Sequence, residues 1–370
     1  MKKVTMIRKL HGQGGVIANQ DYLKFNSVGG AATISLVAVG DVAPINLEYS
    51  EDKETWIAYT IGSNIVIPSG ESVYLRAQST NVTICESFNN HYEFRTISGR
   101  FNVSGDILFL LSRIRAIKTP PRGCFTLLFN ECTGLVGFEK FPDDIVVSEY
   151  MCNRMFFSCT SLVTPPVLPA RTLAVGCYQG MFNGCTSLTT MPQLPALVVP
   201  ENGYRWMFGG CTALTQVVDL PATTVYDYGY RIMFQNCNRI QRVGNIAATM
   251  AGVEAMESMF AGCTALATIP SLNVVTLSNL SLFEMFVGCS SLVNAPHLPA
   301  TTLATGCYNN IFNGCTRLNS ISVQFTSWLS GATDNWVSGV SNIGTFTCPA
   351  SLPDERGASR IPTNWTKVDL

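Results

Sequence analysis

A chain of 370 residues in which 47% of side chains are hydrophobic has enough apolar material for a well-filled core, which excludes a disordered protein. Charged residues make up only 13%, and 24 basic against 25 acidic side chains leave a formal charge of -1. That balance excludes the electrostatic footprint of a nucleic-acid binder or of a protein held on an anionic membrane, and leaves Thr, Ser, Asn and Gln as a neutral coating suited to glycans or other proteins.

Residues 1–19 form an N-terminal segment. It begins with Lys2 and Lys3, as a secretory signal does, but Arg8, Lys9 and His11 fall where the apolar stretch of a signal belongs, so the segment reads as an unprocessed N-terminus. Gly12-Gln13-Gly14-Gly15 reads as a flexible linker. The apolar stretch from Ala31 to Leu47 is broken by Asp41 and Pro44 and is too short to span a bilayer, so no membrane insertion is expected. Residues 20–100 read as strands at Tyr22 to Phe25, Ala32 to Val39, Asn46 to Tyr49, Trp56 to Tyr59, Val73 to Arg76 and Tyr92 to Arg95, separated by Gly, Pro, Asn and Asp; together they predict a small β-sandwich-like domain.

Residues 101–318 read as a repeat array with an N-terminal cap. Phe-x-x-Cys-x-x-(Leu or Ile) occurs eight times, with the Phe at 129, 156, 182, 208, 234, 260, 286 and 312; the first interval is 27 residues and the next six are 26. In four of the units Tyr178 and Phe182, Tyr204 and Phe208, Tyr230 and Phe234, and Tyr308 and Phe312 stand four apart, which predicts two rings on one face of a short helix. After the Cys, residues such as Leu188, Met191 and Leu194, interrupted by Pro192 and Pro195, predict a strand of a few residues and a Pro-containing return. The predicted fold is therefore α+β, a leucine-rich-repeat solenoid of about eight 26-residue repeats, roughly 40 Å long if strands stack at about 4.8 Å. Residues 319–370, where the period fails, supply Trp328, Trp336, Phe346 and Trp365 for a C-terminal cap.

The segments Met181 to Leu188 and Met207 to Leu214, both Met-Phe-x-Gly-Cys-Thr-x-Leu, and Leu-Pro-Ala-Thr-Thr-Leu at Leu298 to Leu303, resemble the BspA-type leucine-rich repeats of gut bacteria and their phages. The resemblance is strong from Phe125 to Leu318 and looser at Phe101 to Gly105 and Gly357 to Trp365. It implies a surface binder or adhesin without catalytic residues. Bacterial members usually carry a secretion or lipoprotein signal, and this N-terminus departs from that pattern. The expectation is accordingly a phage virion protein, tail-fibre-like or head-fibre-like, assembled in the host cytoplasm. Its expected partners are a host-surface glycan or protein, other virion proteins and further copies of itself, with no nucleic acid among them. The alternative is a bacterial cell-surface adhesin.

Eight of the 14 cysteines, at 132, 159, 185, 211, 237, 263, 289 and 315, occupy one repeat position and should form a buried, reduced column of small hydrophobes with weak S–H donors. The other six are Cys85, Cys124, Cys152, Cys177, Cys307 and Cys348. Zinc would need close cysteine pairs such as C-x-x-C, and the sequence holds none, so neither metal nor cofactor is expected.

No nucleophile elbow, phosphate loop or zinc-protease pattern is present, and His11, His91 and His297 stand outside any motif, so the chain is not expected to be an enzyme. Asp143-Asp144 and the group Glu51, Asp52 and Glu54 read as solvated turns rather than glycosidase pairs. The Asn-x-Ser/Thr triplets at Asn81, Asn102, Asn279 and Asn364 carry no meaning without a eukaryotic secretory route. Candidate ligand-binding residues come from two columns that vary while the core stays fixed: eight after each Phe (Thr164, Thr190, Gln216, Arg242, Thr268, Asn294) and eleven after it (Val167, Gln193, Asp219, Asn245, Ser271, His297). The predicted site is Thr190, Gln193, Gln216, Asp219, Arg242, Asn245, Asn294 and His297, with Trp206, Tyr226 and Tyr228 as a second, aromatic candidate.

Overall fold

The computed structural model describes residues 21–370 apart from 81 and 118; the N-terminal reading, the Gly12–Gly15 linker and the Asn81 triplet lie outside the described residues. The chain opens with strands β1 (Leu23–Ser27), β2 (Ala32–Val39), β3 (Leu47–Ser50), β4 (Ile57–Tyr59), β5 (Ile65–Ile67), β6 (Ser72–Ala77), β7 (Cys85–Ser87), β8 (Asn90–Ser98) and β9 (Phe101–Ser104). The short strands β5 and β7 fall between the runs predicted from sequence. Leu23 and Phe25 on β1, and Val73, Leu75 and Ala77 on β6, alternate inward as the pleat requires. One antiparallel sheet runs β5-β2-β8-β7, and it meets the other face to face where Phe94 of β8 packs on Phe25 of β1, ring centroids 5.0 Å apart.

The second sheet does not end with this unit. Its order is β10-β9-β1-β6-β3-β4, where β10 (Leu135–Phe138) belongs to the first repeat and pairs in parallel with β9. The N-terminal strands thus cap the repeat array by extending its ladder. Phe94 stacks on Phe129 of the first coil at 5.1 Å, so one apolar core runs through both parts.

Beyond this junction the chain winds into stacked coils of a repeat fold. The predicted α component is corrected by the structure: among the described residues no α-helix occurs, and the one 3-10 helix is Ile107–Leu110, capped by Asp106. The segment before each Cys is instead a ribbon of consecutive turns with a four-residue period. At two residues before each Phe, six before it and two after it, φ is positive: Gly176, Gly180 and Gly184 in one coil, Asn202, Trp206 and Gly210 in the next. A left-handed residue every fourth position cannot be accommodated in a right-handed helix. The spacing of Tyr and Phe fits both a helix of 3.6 residues and a ribbon of 4, and the glycines at intervals of four decide for the ribbon.

Hydrogen bonding follows the same alternation. Gln179 N donates to Gly176 O and Met181 N to Tyr178 O within the turns, while Gly176, Tyr178, Gly180, Phe182 and Gly184 donate to Glu201, Gly203, Arg205, Met207 and Gly209 of the following coil. Every ribbon N–H is therefore satisfied even though no helix forms. Two of each four residues, the Phe/Tyr and Met/Cys positions, point inward, and the other two point out.

The rest of the coil contains two short strands, where one strand and a return were predicted. The first lies eight residues after Phe, at β12 (Gln216–Val217) and β14 (Arg242–Val243); the second takes the place of the return, at β11 (Val198–Val199), β13 (Thr224–Val225), β15 (Met250–Ala251) and β16 (Thr276–Leu277). Both sets pair in parallel with a register of one repeat, Gln216 with Arg242 and Thr224 with Met250. Each coil thus has three sides, a ribbon and two strands.

The Phe rings form a continuous stack from Phe129 to Phe312, with neighbouring centroids 5.4 to 5.8 Å apart. The coil geometry continues one turn past the sequence period: Gly331, Asn335 and Gly339 repeat the positive-φ pattern, which puts Val337 at the Phe position, and the ring of Trp336 beside it ends the stack 6.5 Å from Phe312. Three parallel strands, β17 (Ser320–Ser322), β18 (Thr345–Cys348) and β19 (Thr366–Asp369), close this end, and Trp336 donates to Arg360 O and Trp365 to Ser341 O.

Candidate functional site

All fourteen cysteines are buried free thiols. In the column of eight, each thiol after Cys132 donates to the carbonyl of the preceding coil's Phe: Cys185 to Phe156 at 3.1 Å, Cys211 to Phe182 at 3.2 Å, Cys237 to Phe208 at 3.0 Å. Burial pushes the Cys237 thiol up to about 12 and the others of the column likewise upward, so these groups are inert as nucleophiles. Among the described residues no three His, Cys, Asp or Glu side chains cluster as metal ligands, and no helix is long and apolar enough to cross a membrane.

The carboxylates considered for chemistry are taken up by backbone N–H groups or by side-chain cations. Asp52 accepts from the N–H groups of Thr55 at 2.7 Å and Glu54 at 2.8 Å, and these bonds lower its pKa to about 2. Asp144 forms a two-pronged pair with Arg115, and Asp143 pairs with Lys140 at 3.2 Å. The structure does bring together one His–carboxylate pair that the sequence did not flag: His91 and Glu93, on one face of β8, approach to 3.5 Å. Both are buried, and Glu93 is already bonded to Arg95 at 2.8 Å.

The predicted binding columns occupy the first strand and its C-terminal edge. Thr190, Gln193, Gln216, Asp219, Arg242, Asn245 and Asn294 are exposed, and His297 is half-buried, its Nδ1 3.0 Å from Ser322 Oγ. Asp219 has a structural task, since its Oδ1 accepts from Asn245 N at 2.8 Å in the next coil. A cleft of about 730 Å3 lies on another side of the molecule and is lined by none of these eight residues.

That cleft runs along the outward positions of the ribbon in the first four coils. Thr126, Asn153, Gln179 and Arg205 stand three before their Phe, one per coil; Tyr150 and Asn202 stand six before, and Arg122 is at the first coil's edge. The opposite wall is the β7–β8 hairpin, with Glu86 and Phe88. Gly176 makes room for the Tyr150 ring, which a side chain at 176 would strike, and Arg122 sits 4.9 Å over that ring. Asn153 is only 4% exposed, and its Oδ1 is sealed from solvent without a hydrogen-bond partner.

From the cleft a strip of alternating guanidinium and aromatic groups continues along the ribbon. Arg154 lies 5.2 Å from the Phe88 ring and 5.6 Å from Trp206; Arg205 lies 4.8 Å from Trp206 and 5.7 Å from Tyr228; Arg231 follows at 5.5 Å from Tyr228. Arg231 is held by Glu254 at 3.1 Å and Glu257 at 2.9 Å. No carboxylate of the described residues lies within ion-pair reach of Arg205 or Arg154, and a buried nitrogen of each, Nε, lacks a partner. Desolvation, and then the charge of Arg231, lower the pKa of Arg205.

Of the aromatic candidates, Trp206 and Tyr228 belong to this strip, whereas Tyr226, 49% exposed, lies beside the second strand. The cleft residues had a signal in the sequence. The positions three and six before Phe vary as freely as those after it, but a predicted helix offered no reason to separate them from the core.

No family model and no curated protein matches the chain. Among solved structures it is similar to a leucine-rich repeat protein from Bacteroides ovatus, at 16% identity over 89% of this chain and 100% of the other, with a TM-score of 0.21.

Proposed function

We propose that this chain is a non-catalytic binding protein of the leucine-rich-repeat type, a rigid stack of coils that presents the outward face of its turn ribbon to a partner. The observation that carries this reading is the contrast between the two sides of the ribbon. Inward positions repeat Phe, Tyr, Met and Cys from coil to coil; outward ones vary along the array and hold arginines stacked on aromatic rings, the residue types that dominate binding hot spots. A rigid ribbon also loses little entropy on binding.

The finer reading is a phage virion protein, tail-fibre-like or head-fibre-like, that contacts a glycan or protein of the host surface and is held in the particle by other virion proteins and by copies of itself. Its support is the likeness of the Met-Phe-x-Gly-Cys motif to BspA-type repeats. The test is intact mass and light scattering on purified particles, followed by adhesion of the labelled full chain to host cells. Recovery with virions as a fixed oligomer, with adhesion lost in Trp206→Ala, is the expected result. Recovery of a processed or lipid-modified chain in a cell-envelope fraction would replace the virion reading by the surface adhesin. Adhesion dependent on Gln216 and Arg242 instead of Trp206 would move the contact to the first-strand columns.

A further inference from the structure

We propose that the cleft between the β7–β8 hairpin and the first four coils is a binding site for a carboxylate-bearing oligosaccharide. The inference rests on reading the chain as a binding protein, and not on where the chain is displayed.

The cleft's two chemical demands are unmet within the chain. Arg205 is a half-buried cation without a carboxylate; its Nη1 reaches only the neutral Asn202 Oδ1 at 3.2 Å, and its Nε has no partner. A guanidinium so placed has lost water without gaining an anion, a deficit that a ligand carboxylate corrects by charge-assisted hydrogen bonds. Asn153 carries the second demand. Its Oδ1 has no donor within the chain, and a buried acceptor without one gains from a donor brought by a ligand.

The remaining surroundings select the body of the ligand. Gln179 and Asn202 join Asn153 as amides along the groove, each able to donate and to accept, which is what a run of sugar hydroxyls requires. An acidic peptide would satisfy Arg205 equally well, but the strand edge that lines the cleft, β7, is three residues long with a register shift, too short and irregular for a backbone ladder, whereas the ribbon wall is built of side-chain amides. At about 730 Å3 the space suits a short oligosaccharide. Glu86 on the hairpin wall accepts from Ala43 N at 3.3 Å and carries negative charge, so the ligand's carboxylate faces the ribbon wall and not the hairpin.

The experiment is isothermal titration of the full chain with trigalacturonate, its methyl ester and triglutamate. The acid is expected to bind, the ester to bind at least about tenfold more weakly, and triglutamate not to compete. Arg205→Met should weaken trigalacturonate by about tenfold or more, and Gln179→Trp, which fills the groove from an outward ribbon position, should abolish binding without altering the melting temperature. Should Arg205→Met fail to fold, Gln179→Trp alone carries the test of location. Equal affinity for acid and ester, binding of triglutamate in place of the saccharide, no binding of any probe at millimolar concentration, or affinity unchanged in Gln179→Trp would each overturn the proposal. Cell adhesion that survives Gln179→Trp, with no saccharide bound, would remove this site and leave the binding reading standing; saccharide binding by a chain that adheres to nothing would do the reverse.

Discussion

At the scale of single residues, the interior is a set of columns in which each side chain meets its own kind. Phe208 lies between Phe182 and Phe234 at 5.4 Å on both sides, nearly parallel to each. Phe208→Ala leaves a cavity in mid-stack that two flanking coils cannot collapse to fill, and should cost about 3–5 kcal/mol in urea unfolding; a shift below about 1 kcal/mol would mean that the stack is not what holds the coils. The Phe and Cys columns were legible from spacing alone. That the thiol bonds the preceding coil's Phe carbonyl was not, because the bond joins residues far apart in sequence. Glu257 gives a pH signature on the surface. Burial first, and Glu254 beside it second, raise its pKa to about 7 from 4.5. Its protonated form is thus favoured by folding, so its contribution to stability is complete below about pH 4.5 and fades as pH rises toward 7. Glu257→Gln should therefore raise the melting temperature relative to the parent at pH 8 and leave it little changed at pH 4; equal differences at both pH values would refute the shift.

At the scale of the element, the ribbon shows why the sequence was misread as helical. Residues four apart meet on one side of both structures, and only the conformation of the intervening residues separates them. Coils with glycine at the left-handed positions, such as Gly176, Gly180 and Gly184, announce the ribbon; coils with Ile232, Leu280 or Trp206 there hide it, because those residues are forced into φ near +60° by their neighbours. A β-branched residue in this region is strained by about 1–2 kcal/mol. Ile232→Asn, which places there the residue found at Asn310, is expected to raise stability by roughly 1 kcal/mol, measured by thermal or chemical unfolding. A loss of stability would show that the half-buried Ile232 side chain contributes more than its backbone costs. The same misreading obscured the cleft, since only a four-residue period assigns Asn153, Gln179 and Arg205 to the outside.

At the scale of the whole molecule, stability is distributed along nearest-neighbour interfaces. Excising one 26-residue unit, 208–233, joins a ribbon to the equivalent point of the next coil and preserves every type of contact. The shortened chain should fold cooperatively with a smaller unfolding enthalpy; a molten product, detected by loss of near-UV dichroism, would show long-range coupling that the stack does not predict. Eight of the coils were legible from the Phe period, and so was the position of most N-terminal strands. The ninth coil escaped because Val337 replaces Phe and no Cys follows it, and the cleft escaped because its far wall is a hairpin brought over the ribbon by the docking of β8 on the first coil, with Phe94 N bonded to Leu128 O.

The strands that close the C-terminal end have a consequence for assembly. A stack in which each coil templates the next has no intrinsic stopping point, so a bare end is an open growth surface for other copies of the chain. Here β19, the outer strand of the β17-β18-β19 sheet, carries Lys367 and Asp369 and follows a segment containing Pro349, Pro353 and Pro362, features that discourage a further strand from adding. The last 50 or so residues therefore act as a polymerisation stop as well as a lid. A chain ending at residue 318 should form head-to-tail filaments visible by electron microscopy, while a soluble monomer of that length would show that the array's own end is self-limiting.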